Sequence, residues 1–176
     1  MKTLETNRLI LRSFVEEDLD DLFEYASVDG VGQMAGWKPH ENKEESRQIL
    51  NLFIEEKKTF ALELKDNGKV IGSIGIEAYN ENKFEGDFKQ KRGRELGYVL
   101  SKAYWGKGLI PEAVQEIIRY CFEGLSLDFL TVGHFIWNNQ SRRVIEKCGF
   151  QYYCEGEFET MLGTVEKEYL YVLYKV

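Results

Sequence analysis

Histidine, cysteine and proline are scarce here: 176 residues include two histidines, three cysteines and two prolines. His40 and His134 lie far from any pair of cysteines. Cys121, Cys148 and Cys154 form an odd set without metal-ligand spacing, so no metal site is expected and a reduced compartment is the natural setting. No apolar run is long enough to cross a bilayer, and the opening Met1-Lys2-Thr3-Leu4-Glu5 lacks an apolar signal region. A cytoplasmic protein without a membrane partner is therefore expected. Basic charge is also short, with 23 Lys and Arg against 30 Asp and Glu, a formal net charge of −7. A general nucleic-acid or membrane-surface binder would need a basic face, so direct nucleic-acid binding is not expected. An acidic balance suits a cationic substrate, although it also simply favours solubility. Repeats, low-complexity segments and linkers are missing too.

What is present describes one globular domain, 1–176, with enough chain for a single well-filled core. Apolar residues make up 43%, charged residues 30% and aromatics 14%, a balance that suits a sheet-containing fold rather than disorder. Alternation predicts a strand over 8–14, and Ser13 with Glu16 reads as a capping box for a helix over 16–27. A loop marked by Gly30, Gly32 and Gly36 carries Trp37 and Pro39. Asn42 with Glu45 opens a second helix to about 57, with Ile49, Leu52 and Phe53 on its buried face. Strands over 59–65 and 69–77 join across Asp66-Asn67-Gly68. The polar, charged stretch 80–93 reads as a long hairpin loop or edge extension. A strand over 94–100, a glycine-bracketed turn and a helix to about 122 follow, with Ala113, Ile117 and Cys121 on one stripe. A strand over 129–137, a short helix over 138–148 closed by Gly149, and strands over 150–158 and 165–175 complete the chain. The order β-α-α-β-β-β-α-β-α-β-β describes a mixed α/β domain around one largely antiparallel sheet.

The junction Tyr104-Trp105-Gly106-Lys107-Gly108 carries the strongest chemical signal. A strand that ends in such a turn and feeds a helix leaves several N–H groups unpaired and pointing one way, at the positive end of the helix dipole. Glycine allows the turn and lets an anion approach the main chain; Lys107 adds a cation. A P-loop would need glycine where Ser101 stands and Ser or Thr where Gly108 stands. A dinucleotide fingerprint would need glycine at Pro111. The turn matches neither.

Two stretches together resemble the cofactor segments of the GNAT superfamily of N-acetyltransferases. The first runs from Glu95-Leu96-Gly97-Tyr98-Val99-Leu100 through Gly106-Lys107-Gly108 to Glu112-Ala113. The second is Asn138-x-x-Ser141-x-x-Val144-Ile145-Glu146-Lys147-Cys148-Gly149-Phe150. The opening Thr6-Asn7-Arg8-Leu9-Ile10-Leu11-Arg12 with Glu17-Asp18 is similar to the Rim-type branch, which acetylates N-terminal amines of ribosomal proteins. Two positions depart from the superfamily pattern. Ala103 stands where Gln or Arg is usual, and Ile145 stands where many members place a thiolate-protonating tyrosine. The Rim-type branch commonly has an aliphatic residue there, with Ser four positions earlier, as at Ser141.

The resemblance implies a GNAT fold whose sheet is splayed at the cofactor strand, with acetyl-CoA as acyl donor and no metal. Main-chain groups of Tyr98, Val99 and Leu100 would pair with the pantetheine arm. Amides of Trp105, Gly106, Lys107, Gly108, Leu109 and Ile110 would hold the diphosphate. Asn138 would contact the arm near its thiol end, or serve as a plain helix cap. The implied reaction is direct attack by a primary amine, with a homodimer as a compatible assembly. An α-amine with pKa near 8 is about 10% neutral at pH 7, whereas a lysine amine needs roughly 3 kcal/mol more to deprotonate. This favours a protein N-terminal α-amine as acceptor. A small-molecule amine (polyamine, amino acid or aminoglycoside) is the enzymatic alternative, and a catalytically silent acetyl-CoA-binding module the non-enzymatic one. Glu95 is the candidate base, against a solvated strand glutamate; Ser141 is the candidate thiolate donor, against a cap. Trp37 is assigned to the acceptor pocket, against an aromatic covering the core. Cys148 reads as a buried thiol, His134 as structural or solvent-facing, and Lys89, Lys91, Arg92 and Arg94 as a solvated loop rather than a site for the cofactor's adenosine phosphate or an acidic partner.

Overall fold

The computed structural model describes residues 1–175. Its eight strands are β1 (Leu4–Glu5), β2 (Leu9–Ser13), β3 (Thr59–Leu64), β4 (Val70–Glu77), β5 (Gly93–Leu100), β6 (Phe129–Phe135), β7 (Gln151–Glu159) and β8 (Val165–Tyr174). The helices are α1 (Leu19–Ala26), α2 (Lys43–Glu56), α3 (Leu109–Arg119) and α4 (Asn139–Lys147). The strands form one open sheet in the order β1-β2-β3-β4-β5-β6-β8-β7. Every neighbouring pair is antiparallel except β5 with β6. The mixed α/β architecture read from the sequence is the observed one, with the two-residue β1 added at an edge.

Local chemistry explains where the elements begin. Asn42 caps α2, its side chain accepting from the Glu45 amide at 3.0 Å. The first helix starts later than Ser13 suggested. Asp18 is the capping residue: its carboxylate accepts from the Val15 amide at 2.9 Å, a 3-10 turn spans Glu16–Asp18, and α1 follows. Arg12 holds the same carboxylate at 2.8 and 2.9 Å and also pairs with Glu63, so this cap is tied into β2 and β3. On α2, Leu50 rather than Leu52 is buried; Leu52 is exposed because the helix meets the sheet along the Ser46–Leu50 side. At the far end of α3 the chain continues as a π-helical turn, Tyr120–Gly124.

Three apolar clusters cover the sheet. Leu96, Leu100, Ile110, Ala113, Ile117 and Ile145 belong to the cluster that joins α3 and α4 to one face. Phe14, Leu22, Leu50, Ala61 and Val70 join α1 and α2 to the other. The polar stretch between β4 and β5 is more than a loop: Phe84 and Phe88 are buried with Phe129, Leu170 and Val172. The Phe88 and Phe129 rings meet edge-on, their centroids 4.9 Å apart.

The site is made by a failure of pairing. β5 and β6 are in register only at Gly93–Phe129, Arg94–Leu130 and Glu95–Thr131. Beyond that point β5 follows β4, from Glu77–Glu95 to Gly72–Leu100, while β6 follows β8 as far as Phe135–Glu168. The two strands therefore diverge in the middle of the sheet. From Leu96 onward the side of β5 facing β6 carries main-chain groups with no strand opposite.

Candidate functional site

A cleft of about 270 Å³ lies at this divergence. Tyr98, Val99 and Leu100 form one wall, and Asn138, Ser141 and Val144 of α4 the other. Trp105, Gly106, Gly108, Leu109 and Ile110 close one end, while Val31 and Met34 reach it from the segment between α1 and α2. The cleft is mostly apolar, as suits an extended organic arm lying between two polar ends.

At the glycine end, Gly106 and Gly108 both have φ of +75°, and α3 begins immediately afterwards. A Cβ at Gly106 would meet nothing within 4 Å, so the main chain there lies open to an approaching group. Among the described residues the amides of Gly106, Lys107 and Gly108 have no protein acceptor. Those of Leu109 and Ile110 sit in the first helical turn, where intrahelical partners do not exist. Pro111 has no N–H to leave over. The Trp105 amide is different, because it donates to the Lys102 carbonyl at 3.2 Å. Its indole donates to the Leu100 carbonyl at 2.8 Å, which fixes the end of β5 against the turn. The Lys107 ammonium lies over the Tyr104 ring, 4.9 Å from its centroid.

This arrangement fits a diphosphate: several convergent N–H groups, a helix N-terminus and open space in front of them. Two cations that sequence reasoning passed over add to the fit. Arg143 and Lys147 line the cleft from successive turns of α4, and neither is paired with a carboxylate among the described residues. Their spacing of four was the available signal, but the neighbouring Arg142–Glu146 pair follows the same spacing and is only a surface ion pair. The basic stretch near β5 lies elsewhere. Lys91 pairs with Asp87 at 2.7 Å, and Arg92 donates to the Leu125 carbonyl at 3.0 Å.

On α4 the amide of Ser141 donates to the Asn138 side chain at 3.0 Å, so Asn138 is the helix cap. Its other amide atom donates to the Met34 carbonyl at 3.3 Å, which ties α4 to the segment after α1. The Ser141 hydroxyl is thus not needed for capping. It meets the Tyr98 hydroxyl across the cleft at 2.7 Å. Ile145 is buried in the core, 1% exposed. Cys148 is also buried, and burial pushes its thiol up to about 11.

Glu95 does not line the cleft with Ser141. It precedes the divergence and sits on the face opposite Leu96 and Tyr98. Burial and the charge of Glu168 raise its pKa, while Lys83 pulls the other way. Glu168 is itself buried and paired with Lys83. Its carboxylate lies over Gly133, with an oxygen 2.9 Å from where a Cβ would sit. Base and thiolate-donor candidates therefore occupy opposite faces of the sheet, with the opening between β5 and β6 connecting them. Trp37 stands outside the cleft lining and packs on the α1–α2 cluster beside Gly32 and His40. His134, solvent-facing or structural by sequence, is buried, with its ring against the Phe135 carbonyl at 2.7 Å and Tyr171 hydroxyl at 3.2 Å. Burial lowers its pKa.

Among the described residues no group of His, Cys, Asp and Glu is arranged to hold a metal ion. No helix among them is long and apolar enough to cross a membrane.

Comparison with known proteins places this geometry. The family described as "Acetyltransferase (GNAT) domain" matches residues 8–151. The uncharacterized N-acetyltransferase YoaA of Bacillus subtilis (strain 168) is 29% identical over 153 residues, 84% of this chain and 82% of its own. The crystal structure of a GNAT-family acetyltransferase from Bacillus anthracis has a TM-score of 0.83 at 24% identity, covering 98% of both chains. Ribosomal-protein-S5-alanine acetyltransferase from Vibrio fischeri has a TM-score of 0.75 at 20% identity, covering 99% of this chain and 97% of that one. The two structures share the fold.

Proposed function

The chain belongs to the GNAT family of acetyltransferases, and we propose that it transfers the acetyl group of acetyl-CoA to a primary amine, with a protein N-terminal α-amine as the preferred acceptor. The observation that carries this reading is the unpaired edge of β5 running into the free amides of Gly106, Lys107 and Gly108.

The residues present fit the donor. Tyr98 and Leu100 offer main-chain groups to the pantetheine amides, as a neighbouring strand would, whereas the alternation of the antiparallel ladder turns those of Val99 toward Ser73 of β4 and leaves Val99 a lining role. The amides of 106–110 hold the diphosphate, with Arg143 and Lys147 nearby. Acetyl-CoA, when bound, supplies an activated acetyl thioester. The chain's own task is to present an unprotonated amine on one side and receive sulfur charge on the other. Glu95, on the acceptor face, accepts the ammonium proton directly or through water. Burial and the charge of Glu168 raise its pKa, which strengthens it as a base. Ser141 donates a hydrogen bond on the sulfur side. Met34 and Val31 cover the opening and keep bulk water away.

Two considerations support an α-amine. Its pKa is near 8, so one ordinary carboxylate suffices, whereas a lysine amine asks for roughly 3 kcal/mol more. The fold is also shared with an acetyltransferase named for a ribosomal protein's alanine. A small cationic amine is the second reading, favoured by Glu77 beside Glu95 in the sheet register and by the nearby charge of Glu168. The deciding experiment supplies acetyl-CoA with a panel of short peptides bearing free α-amines and of small amines, and follows thiol release. Turnover with peptides alone supports the first reading, and turnover with small amines alone the second. Tight acetyl-CoA binding without turnover on either points to a silent binding module.

A further inference from the structure

We propose that the Tyr98 hydroxyl positions the Ser141 hydroxyl as a hydrogen-bond donor to the departing thiolate, so that the two side chains act as one donor site spanning the cleft. The inference rests on the cofactor reading above and gives Tyr98 a side-chain role beyond its main-chain pairing.

Ile145, the α4 position at which the family resemblance looks for a proton donor, is buried in the core and has none to offer. Sulfur charge that develops in the cleft must then be met by another group. Tyr98 and Ser141 are hydroxyl-bearing side chains that face each other from its two walls. Among the described residues neither hydroxyl has another strong partner: Asn138 has taken the capping role from Ser141, and the one further hydrogen bond of the Tyr98 hydroxyl goes to the Ser141 carbonyl at 3.4 Å.

A count of hydrogens makes the argument. The pair has two hydroxyl hydrogens, and one is consumed in the 2.7 Å bond between them. A phenol is a stronger acid than an alcohol, and so the better donor. With Tyr98 donating, the hydrogen of Ser141 is left over, on an oxygen already polarised by the bond it accepts. That surplus donor lies in a largely apolar cleft, where a hydrogen bond to an anion is worth most. Burial raises the Tyr98 pKa, so the phenol keeps its proton throughout the working range. Neither hydroxyl ionises. Both remain hydrogen-bonded donors, and the proton finally taken by the sulfur is the one released by the amine on acylation. Tyr98 is in this sense a positioning residue, and Ser141 the group that touches sulfur.

The plainer alternative is a structural bridge that only pins α4 to β5. It predicts no effect on sulfur ionisation, which gives the test. The full chain is titrated with CoA, bearing its free thiol, and thiolate formation of the bound cofactor is followed by ultraviolet absorbance across pH. The desulfo analogue serves as the reference. The CoA-free protein is titrated as a blank for its own thiols, all three of which burial raises.

In the unsubstituted protein the bound thiol should favour thiolate about tenfold more than free CoA does at the same pH. Tyr98→Phe and Ser141→Ala should each lose most of that gain, the double variant should be no worse than Ser141→Ala, and Ser141→Thr should retain it. A bound thiol that titrates like free CoA in the unsubstituted protein overturns the inference alone, with no variant needed. So does a Tyr98→Phe protein that binds CoA and keeps the full shift. Failure to bind CoA at all, seen by calorimetry, overturns the inference together with the reading beneath it.

Discussion

Arg8 and Glu112 face each other at 2.7 Å behind the glycine turn, although 104 positions separate them in the chain. Arg8 also donates to the Lys107 carbonyl at 2.9 Å, and the Thr6 hydroxyl and Arg8 amide both bond to Glu112. Burial pushes the Glu112 carboxyl up, but the bonds from Thr6 and Arg8 outweigh it and hold the pKa below its ordinary value. The opening motif and the post-turn Glu112 are thus one network. By holding the Lys107 carbonyl from behind, it turns the Gly108 amide of the same planar peptide away from Arg8.

Breaking that network should therefore weaken cofactor binding from outside the site. Glu112→Gln is expected to raise the Kd for CoA about tenfold, an effect of about 1.4 kcal/mol. Isothermal calorimetry gives the answer, and an unchanged Kd in a folded variant would remove Arg8 and Glu112 from the account.

Glycine at 106 serves both conformation and access, and the two can be separated. Gly106→Ala and Gly68→Ala each place a side chain at positive φ, +75° and +71°, with nothing within 4 Å of the new Cβ. Both should lose about 1 kcal/mol of stability from backbone strain. Gly106→Ala alone should also weaken CoA binding, by on the order of tenfold. Equal, unimpaired binding by both variants would mean that no anion approaches the chain at 106.

Glu95 offers a pH test whose sign is fixed. As a base it works deprotonated, so kcat/KM should fall as pH drops through a pKa above the ordinary glutamate value of about 4.3. Stability should move the other way: a raised carboxyl pKa favours the folded state while protonated, and that contribution fades as pH rises through the folded pKa. Lys83→Met should shift the acid limb upward and Glu168→Gln downward, following the charges that act on Glu95. Glu95→Gln should reduce kcat on the order of a hundredfold. A pH profile identical in Glu95→Gln and the parent would exclude this residue as the base.

The short parallel pairing that sets up the splay depends on Gly93. A Cβ there would lie 2.0 Å from the Phe129 ring. Gly93→Ala should cost about 1–3 kcal/mol through overpacking, read as a lower urea midpoint. A fully stable Gly93→Ala protein would mean that this contact does not fix where β5 and β6 meet.

Features carried by neighbouring residues were legible in the sequence. The glycine turn, the Asn42 cap, the Asp66-Asn67-Gly68 hairpin and the stripe of Ala113, Ile117 and Cys121 all rest on local spacing. The divergence of β5 from β6 has no local signature, because each strand stops pairing only where its other neighbour holds it. Its presence was implied by family resemblance alone. Arg143 and Lys147 carry no distinguishing local signal, because the α4 face that meets the cleft is set by packing. Leu52 differs from expectation for a related reason: the spacing of 49, 52 and 53 allows one buried face, and the sheet selects the one centred on Leu50. The burial of Phe84 and Phe88 was hidden by the charges around them. Asp18 replaced Ser13 as a cap because Arg12, itself paired with Glu63, holds it in place, a contact between elements that spacing does not reveal.

A crystal structure of the protein grown with CoA tests the central claim most directly. The account predicts the diphosphate on the amides of 106–110, the pantetheine arm along Tyr98, Val99 and Leu100, and the sulfur beside Ser141. A cofactor bound elsewhere, with β5 and β6 closed together over an empty cleft, would contradict it.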